Sequence, residues 1–397
     1  MMKDRRKIMM VAGEASGDQH AAKLVRELRL LMLNDLEFFG AAGEEMRKEG
    51  VEAVVRADGL SIVGLLEIGR ALPTFIRAFR SLIRAAKEKE PAVAVLVDFP
   101  DFNLKLARKL KKLGIPVVYY ISPQLWAWRG HRIRSIRKFV DLMIVILPFE
   151  KEWYADRGVN SVEYVGSPLA REIHPSISKE DFCSKHGIDP QKPIVCFLPG
   201  SRHKEIVRIL PVMLEASLVL AKSNPDMQFL IALAASRKEH EVNDAISALS
   251  AAGRTMPGVL KCIDSETYDA LNASDAAAIT SGTATLEAAI IGTPMVIVYK
   301  TSAINYKLLR PLISVEHFGL VNLIAGKRIA RELIQSDLTV ESLSSELLRI
   351  LDAGENAKAR VDLAEAAEKL GHGGASKRAA EAIVRTMEIS DQSFPGI

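Results

Sequence analysis

Short β-branched and apolar runs alternate with longer segments of helical period along all 397 residues, the pattern of an α/β protein built on parallel sheets. In the first half, strands are expected at 7–12, 37–40, 92–97, 116–121, 142–147 and 162–165, with helices such as 19–33 and 103–113 between them. The series then restarts, with strands at 194–198, 228–232, 259–262, 276–280 and 295–299. The intervening stretch 168–193 is richer in Pro, Ser and charge, so a domain boundary falls near 167–175. Past Leu333 the chain reads as helical until Gly371-His372-Gly373-Gly374 breaks it, and one last helix is expected at 376–387.

Length and composition narrow the class. At about 150 residues per domain the chain suggests two domains, and 48% hydrophobic with 26% charged residues is an ordinary folded composition. Lys and Arg total 53 against 49 Asp and Glu, which allows a weak preference for phosphates or anionic lipid but argues against a general nucleic-acid binder. Cys183, Cys196 and Cys262 are far apart with no CxxC spacing, so neutral buried thiols in a reducing compartment are expected, not a zinc site. The apolar run at 8–12 is too short for a signal segment and reads as the first strand. No stretch reaches the roughly eighteen apolar residues of a membrane span. The expected location is the cytoplasm, with any membrane contact peripheral.

In parallel sheets ligands bind beyond the carboxyl ends of strands, so residues where apolar runs stop carry the chemistry. The first strand ends in Gly13-Glu14-Ala15-Ser16-Gly17-Asp18, a glycine-rich turn into a helix. It can bring backbone N–H groups to a ligand, or it can be a tight turn with Asp18 as a helix cap. It is neither a dinucleotide fingerprint nor a nucleophile elbow. The strand at 92–97 runs into Asp98-Phe99-Pro100-Asp101-Phe102-Asn103. Asp101 suits a helix cap, whereas Asp98 precedes the cap position and can accept a proton from an attacking hydroxyl. The D-x-x-D spacing is not a D-x-D metal site, and His240-Glu241 lacks the second histidine of H-E-x-x-H. No metal and no cofactor is expected.

The second half offers two anion-binding turns. Leu198-Pro199-Gly200-Ser201-Arg202-His203-Lys204-Glu205 sets an arginine and free N–H groups at a helix entrance, suited to a diphosphate, although Lys204 reads equally as a solvated helix start. Thr280-Ser281-Gly282-Thr283-Ala284-Thr285-Leu286-Glu287 repeats the pattern. There Glu287 can accept both ribose hydroxyls or serve as a first-turn acid. Gly326-Lys327-Arg328 lacks the hydroxyl residue of a P-loop.

Two further segments combine apolar and basic residues. In 60–90, Leu72, Phe75, Ile76, Phe79, Leu82 and Ile83 recur at helical spacing among Arg70, Arg77, Arg80 and Arg84, after the lead-in Ile62, Val63, Leu65 and Leu66. Such a helix can lie on an anionic membrane or pack on the sheet with solvated arginines. Trp126, Trp128, Arg129, His131, Arg132, Arg134 and Arg137 form a second cluster, able to hold a phosphate or to stack on RNA.

Taken in order, these motifs, with Ser122-Pro123-Gln124-Leu125-Trp126-Ala127-Trp128-Arg129 and Leu147-Pro148-Phe149-Glu150, resemble the lipid-A-disaccharide synthase family across nearly the whole chain. The resemblance implies a GT-B glycosyltransferase: two Rossmann-like doubly wound lobes facing across a cleft. Residues 1–170 would bind acceptor and lipid, with a C-terminal helix at 375–397 returning to that lobe, and 171–374 would bind the UDP-sugar. The implied reaction joins UDP-2,3-diacylglucosamine to 2,3-diacylglucosamine 1-phosphate with inversion, giving UDP and a β-1,6 disaccharide 1-phosphate. Asp98 would be the general base. Gly200, Ser201, Arg202, Ser281, Gly282, Thr283 and Glu287 would hold the nucleotide, and Glu14, Ser16, Gly17, Asp18, Gln124, Trp126, Arg129 and Asn322 would line the acceptor cleft. Ile62, Val63, Leu65, Leu66, Leu72, Phe75, Ile76, Phe79, Arg77 and Arg80 would meet acyl chains or the inner leaflet. The implied partners are the two sugar lipids and the cytosolic face of the inner membrane, with no nucleic acid and with a homodimer allowed. Gln19-His20, Ser167 and Val321 depart from the family's usual residues. A UDP-sugar 2-epimerase and a non-enzymatic lipid- or RNA-binding protein are the competing readings.

Overall fold

The computed structural model describes residues 5–33, 35–57, 68–234, 237–303, 306, 307, 310 and 315–393. The chain divides into two compact units, residues 1–168 with 373–397, and residues 169–372.

In the first unit β1 (Arg6–Ala12), α1 (Ala15–Leu31), β2 (Leu36–Ala42), α2 (Glu44–Lys48), β3 (Glu52–Arg56), α3 (Ile68–Lys89), β4 (Val93–Val97), α4 (Pro100–Lys112), β5 (Val117–Tyr120), α5 (Ile133–Phe139), β6 (Leu142–Val145), α6 (Glu150–Ala155) and β7 (Val162–Tyr164) follow in turn. The strands form one parallel sheet in the order β3-β2-β1-β4-β5-β6-β7. Helices cover both faces, so alternate residues of one strand enter different cores. Ile8, Met10 and Ala12 join α1 and the C-terminal helix Ala375–Ser393, while Met9 and Val11 join α3 and α4. Burial on both faces explains the unbroken apolar runs of these strands. Each fully buried Met, Val or Ile contributes on the order of 1.5–3 kcal/mol. The C-terminal helix is fastened by Arg378, whose guanidinium donates to the Val165 carbonyl at 2.8 and 2.6 Å.

The second unit holds α7 (Leu169–Glu172), α8 (Lys179–His186), β8 (Ile194–Leu198), α9 (His203–Ser223), β9 (Gln228–Leu233), α10 (Glu239–Ala251), β10 (Leu260–Asp264), α11 (Thr267–Ala273), β11 (Ala276–Thr280), α12 (Ala284–Ile291), β12 (Met295–Tyr299) and β13 (Glu332–Ile334). Its parallel sheet runs β10-β9-β8-β11-β12-β13.

The parallel α/β architecture is the one the alternation predicts. In each sheet the strand order reverses direction at one point, between β1 and β4 in the first and between β8 and β11 in the second. Loops after those strands diverge to opposite faces and leave a crevice at the carboxyl ends. Two local features depart from the expectation. The edge strands β3 and β13 are short and half-buried, so they lack a strong apolar run. The helix expected from 103 begins at Pro100, because proline tolerates the first helical position, where no N–H is needed. Among the described residues, no helix is long and apolar enough to cross a membrane.

Candidate functional site

At the switch point of the first sheet, register pairs Ala12 with Val97, so the turns after β1 and β4 lie side by side. Gly13 has no room for a side chain: a Cβ there would stand 2.3 Å from the Phe99 ring. Gly17, by contrast, has room: an ideal Cβ there would make only ordinary contacts, 3.8 Å from the Ala12 Cβ and from the Val97 carbonyl. Asp98 and Phe99 both adopt left-handed backbone, φ 47° and 49°, conformations that cost non-glycine residues energy and cluster at functional sites. The strained turn is clamped through the Asp98 carbonyl, which accepts from Asn103 Nδ2 at 2.8 Å and from the Tyr119 hydroxyl at 2.6 Å.

The Asp98 carboxyl itself is left for other work. Burial, and secondarily the negative charge of Glu14, push its pKa up to about 6, while a bond from the Phe99 backbone N–H opposes the shift. A carboxylate titrating there is ionised at neutral pH yet basic enough to share a proton with a hydroxyl. Glu14 and Ser16 are exposed beside it, and Gln124 is exposed on the loop after β5.

Several residues expected at the ligand are otherwise engaged. Asp18 is buried, and its two oxygens accept the N–H groups of Gly43 (2.7 Å) and Glu45 (2.8 Å); it caps α2 and not its own helix. Asp101 is not a helix cap: Phe99 holds that position, and Asp101 reaches Arg129 and Arg132. Trp126 is buried, edge-on to Phe149, and donates its indole N–H to Glu150 Oε1 at 3.1 Å, so it offers no stacking face. Phe75 and Phe79 turn inward, with Phe75 against Phe99 and Phe102 and Phe79 against Phe102. Ile76, at 43% exposure, and Arg77 and Arg80 remain on the outer face of α3. Ile62, Val63, Leu65 and Leu66 lie outside the described residues, as does the side chain of Leu72.

Glu150 has a structural role that its sequence motif does not reveal. Fully buried, its carboxylate accepts from Ser122 Oγ (2.5 Å), Trp126 Nε1 and the backbone N–H groups of Ile146 (3.3 Å) and Leu147 (3.0 Å). It ties the loop after β5 to the end of β6. The available signal was an acidic residue at a helix start, two residues after the proline that ends the apolar run.

In the second unit, Leu198 of β8 pairs with Ile279 of β11, so the turns beginning at Pro199 and Ser281 are neighbours. Two of the N–H groups expected to be free, those just ahead of α9, are occupied. Glu205 Oε2 accepts from the backbone N–H of Ser201 (3.1 Å) and Arg202 (3.2 Å), and Oε1 pairs with Arg202 Nη1 at 2.7 Å. Gly200, at φ +115°, makes this possible, since a Cβ would fall 2.6 Å from Glu205 Oε2. The Arg202 side chain is still 78% exposed and keeps further donors. Beside it, Ser281 Oγ donates to the Phe318 carbonyl at 2.8 Å, and the space over Gly282 is open. Helix α12 begins just after; the N–H groups of Thr285, Leu286 and Glu287 donate back to the carbonyls of Gly282 and Thr283, so the donors that face outward are those ahead of them, at Gly282, Thr283 and Ala284. Burial raises the pKa of Glu287, and a bond with the Thr283 side chain partly offsets this.

Asn322 is engaged within its own loop. It is fully buried and spends its whole amide on its own loop: Nδ2 donates to Ala330 O (2.7 Å) and Glu332 Oε1 (2.8 Å), and Oδ1 accepts from the N–H groups of Ile329 and Ala330 (both 2.9 Å). Its role is to close the turn after Leu320–Ala325. The thiols are neutral as expected, with burial pushing Cys196 up to about 12 and Cys262 to about 11, but only Cys183 and Cys196 are buried and Cys262 is partly exposed.

A family model described as lipid-A-disaccharide synthetase matches residues 8–386. A lipid-A-disaccharide synthase of Geobacter sulfurreducens is 40% identical over 382 residues, covering 96% of this chain and 97% of that protein. One from Syntrophus aciditrophicus is 41% identical over 385 residues, covering 97% and 98%. Among solved structures, the UDP-GlcNAc 2-epimerase of Neisseria meningitidis bound to UDP-GlcNAc superposes with a TM-score of 0.62 at 15% identity, covering 96% of this chain and 100% of that one. The calicheamicin glycosyltransferase CalG4 gives 0.57 at 15%, covering 99% and 100%. At these identities the structural likeness speaks for the GT-B-type fold alone.

Proposed function

The chain belongs to the lipid-A-disaccharide synthase family of glycosyltransferases, and from that premise we propose that it joins UDP-2,3-diacylglucosamine to 2,3-diacylglucosamine 1-phosphate with inversion, forming the β-1,6-linked disaccharide 1-phosphate and UDP. The observation that carries the chemistry is the Asp98 carboxyl, held at the switch point on a clamped left-handed turn with a pKa of about 6. In this reading Asp98 removes the proton from the acceptor's 6-hydroxyl as that oxygen attacks the donor's anomeric carbon and the bond to UDP breaks.

The departing diphosphate gains charge. Arg202 and the entrance of α12 at Ser281, Gly282 and Thr283 would stabilise it with positioned donors, a role that needs no metal. Glu287 would take the ribose hydroxyls. The unit of residues 169–372 would thus hold the UDP-sugar, and the unit of residues 1–168 with 373–397 the acceptor and its acyl chains. Glu14, Ser16 and Gln124, exposed around Asp98, support that assignment. The outer face of α3, with Ile76, Arg77 and Arg80, supports a peripheral position on the cytosolic face of the inner membrane.

The test is to incubate the full chain with both sugar lipids in the presence of EDTA, alongside Asp98→Asn, and to follow disaccharide and UDP by mass spectrometry. Disaccharide from the wild type and almost none from the variant is the expected result. Binding of UDP without disaccharide, or epimerisation of UDP-GlcNAc in its place, would sink this reading.

A further inference from the structure

Arg129 and Arg132 share a single carboxylate. Arg129 Nη1 lies 3.1 Å from both oxygens of Asp101, and Arg132 Nη2 contacts the same Oδ1. Two fixed positive charges thus meet one negative charge, and the surplus is not freely solvated, since the Arg132 side chain is only 16% exposed. A partly desolvated guanidinium is stabilised by a further anion, and its five donors exceed what one carboxylate can occupy.

The pair is also rigidly built. Arg129 adopts a left-handed backbone, φ 54°, and its guanidinium stacks over the Trp128 ring at 4.3 Å. Arg132 closes the short 3-10 turn Gly130–Arg132. Asp101, which orients both, sits in the first turn of α4, three positions after Asp98. The Tyr119 hydroxyl, which bonds the Asp98 carbonyl, lies within electrostatic reach of Arg132 and Asp101 as well. The clamp is therefore built on the helix entrance that directly follows the Asp98 turn.

We propose that Arg129 and Arg132, held by Asp101, form a subsite for a phosphomonoester of the acceptor. This rests on the reading above, in which the acceptor carries a 1-phosphate on C1, separated only by the ring oxygen from C5, the carbon that bears the reacting 6-hydroxymethyl group. A phosphomonoester offers three acceptor oxygens and close to two negative charges, a better match to two guanidinium forks than the single charge of a phospholipid diester.

The experiment compares 2,3-diacylglucosamine 1-phosphate with its 1-hydroxyl counterpart, by equilibrium binding and by transfer rate, in wild type, Arg129→Ala, Arg132→Ala and Arg132→Lys. The readout is the ratio between the two acceptors. The wild type is expected to prefer the phosphorylated one by at least about tenfold, the worth of one charged hydrogen bond. The alanine variants should bring the ratio close to one, and the lysine should keep part of it. Equal loss on both acceptors would make the cluster a structural fastening and overturn the proposal, as would a wild type without preference. Phosphatidylglycerol vesicles that compete with the acceptor in the wild type but not in Arg132→Ala would overturn it too, by assigning the pair to a membrane headgroup. Phosphate-dependent binding without disaccharide would leave the subsite standing and remove the transferase reading alone.

Discussion

Tyr119 donates its hydroxyl to the carbonyl of Asp98 across 2.6 Å, from the neighbouring strand β5 to the turn that ends β4. Together with Asn103 Nδ2 it holds the peptide that a left-handed aspartate would otherwise relax. The position of the carboxyl is thus set by two fully buried residues that need touch no ligand.

Asp98→Asn should abolish transfer and at the same time stabilise the protein at pH 8. The folded pKa of about 6 lies above the ordinary aspartate value of 3.8, so the folded state binds protons more readily than the unfolded chain. Its ionisation therefore costs stability, and that cost sets in as pH rises from about 4 to 6 and persists above. Asparagine removes the charge and tolerates left-handed backbone better. Thermal unfolding should show a higher Tm for the variant at pH 8 than the wild type, with the difference shrinking at pH 4, while transfer falls by about a hundredfold or more. A lower Tm at pH 8 would mean that the carboxylate is not strained by burial. For the wild type, kcat/KM should fall as pH drops below about 6.

Tyr119→Phe should lose roughly 1 kcal/mol of stability, the usual worth of one buried hydrogen bond. Because the lost bond positions Asp98, kcat should fall while UDP affinity stays unchanged. Unfolding in denaturant and UDP-induced shifts in Tm check both halves, and weakened UDP binding would count against a purely positional role.

Much of this was legible in the letters and some was not. Periodicity located the central strands because burial on both faces leaves continuous apolar runs. The edge strands β3 and β13 escaped because half of their surface is exposed. Strand ends pointed to Asp98 and to the turns at Gly200 and Ser281, since a charge or glycine interrupting an apolar run is visible in sequence. Whether a polar side chain there is free or occupied depends on partners far along the chain. Asp18 is claimed by an N–H group 25 residues away, Trp126 by a carboxylate 24 residues away, and Asn322 by the chain returning at Ala330. Glu205 is the opposite case, a local claim: three residues past Arg202, it was within reach of a capping argument.

Asn322→Ala should destabilise the second unit without acting on ligand directly. Four hydrogen bonds vanish, and the carbonyl and N–H of Ala330 lose their buried partner, which costs on the order of 3 kcal/mol. Asn322→Asp should do no better, because an acceptor would then face the Ala330 carbonyl and Glu332. The check is the denaturant midpoint, read beside KM for the UDP-sugar in protein that remains folded. A raised KM with an unchanged midpoint would return Asn322 to the ligand.

Gly200→Ala tests the turn before α9. The left-handed φ of +115° strains any side chain, and the new Cβ would lie 2.6 Å from Glu205 Oε2 and 2.8 Å from its Cβ. Either the turn or Glu205 must shift, at a cost of about 1–3 kcal/mol. Glu205 holds both the N–H groups of the turn and the Arg202 guanidinium, so its displacement should also disorder the cation offered to diphosphate. UDP should then raise the Tm of the variant less than that of the wild type, since ligand stabilisation scales with the logarithm of affinity. Glu205→Gln separates the two effects. It keeps the hydrogen-bonding shape near Gly200 but removes the charge that competes with diphosphate for Arg202. If diphosphate must displace Glu205 from Arg202, Glu205→Gln should bind UDP more tightly than the wild type while Gly200→Ala binds it less. Weaker binding in both variants would instead make Glu205 a positioning residue whose charge holds Arg202 ready.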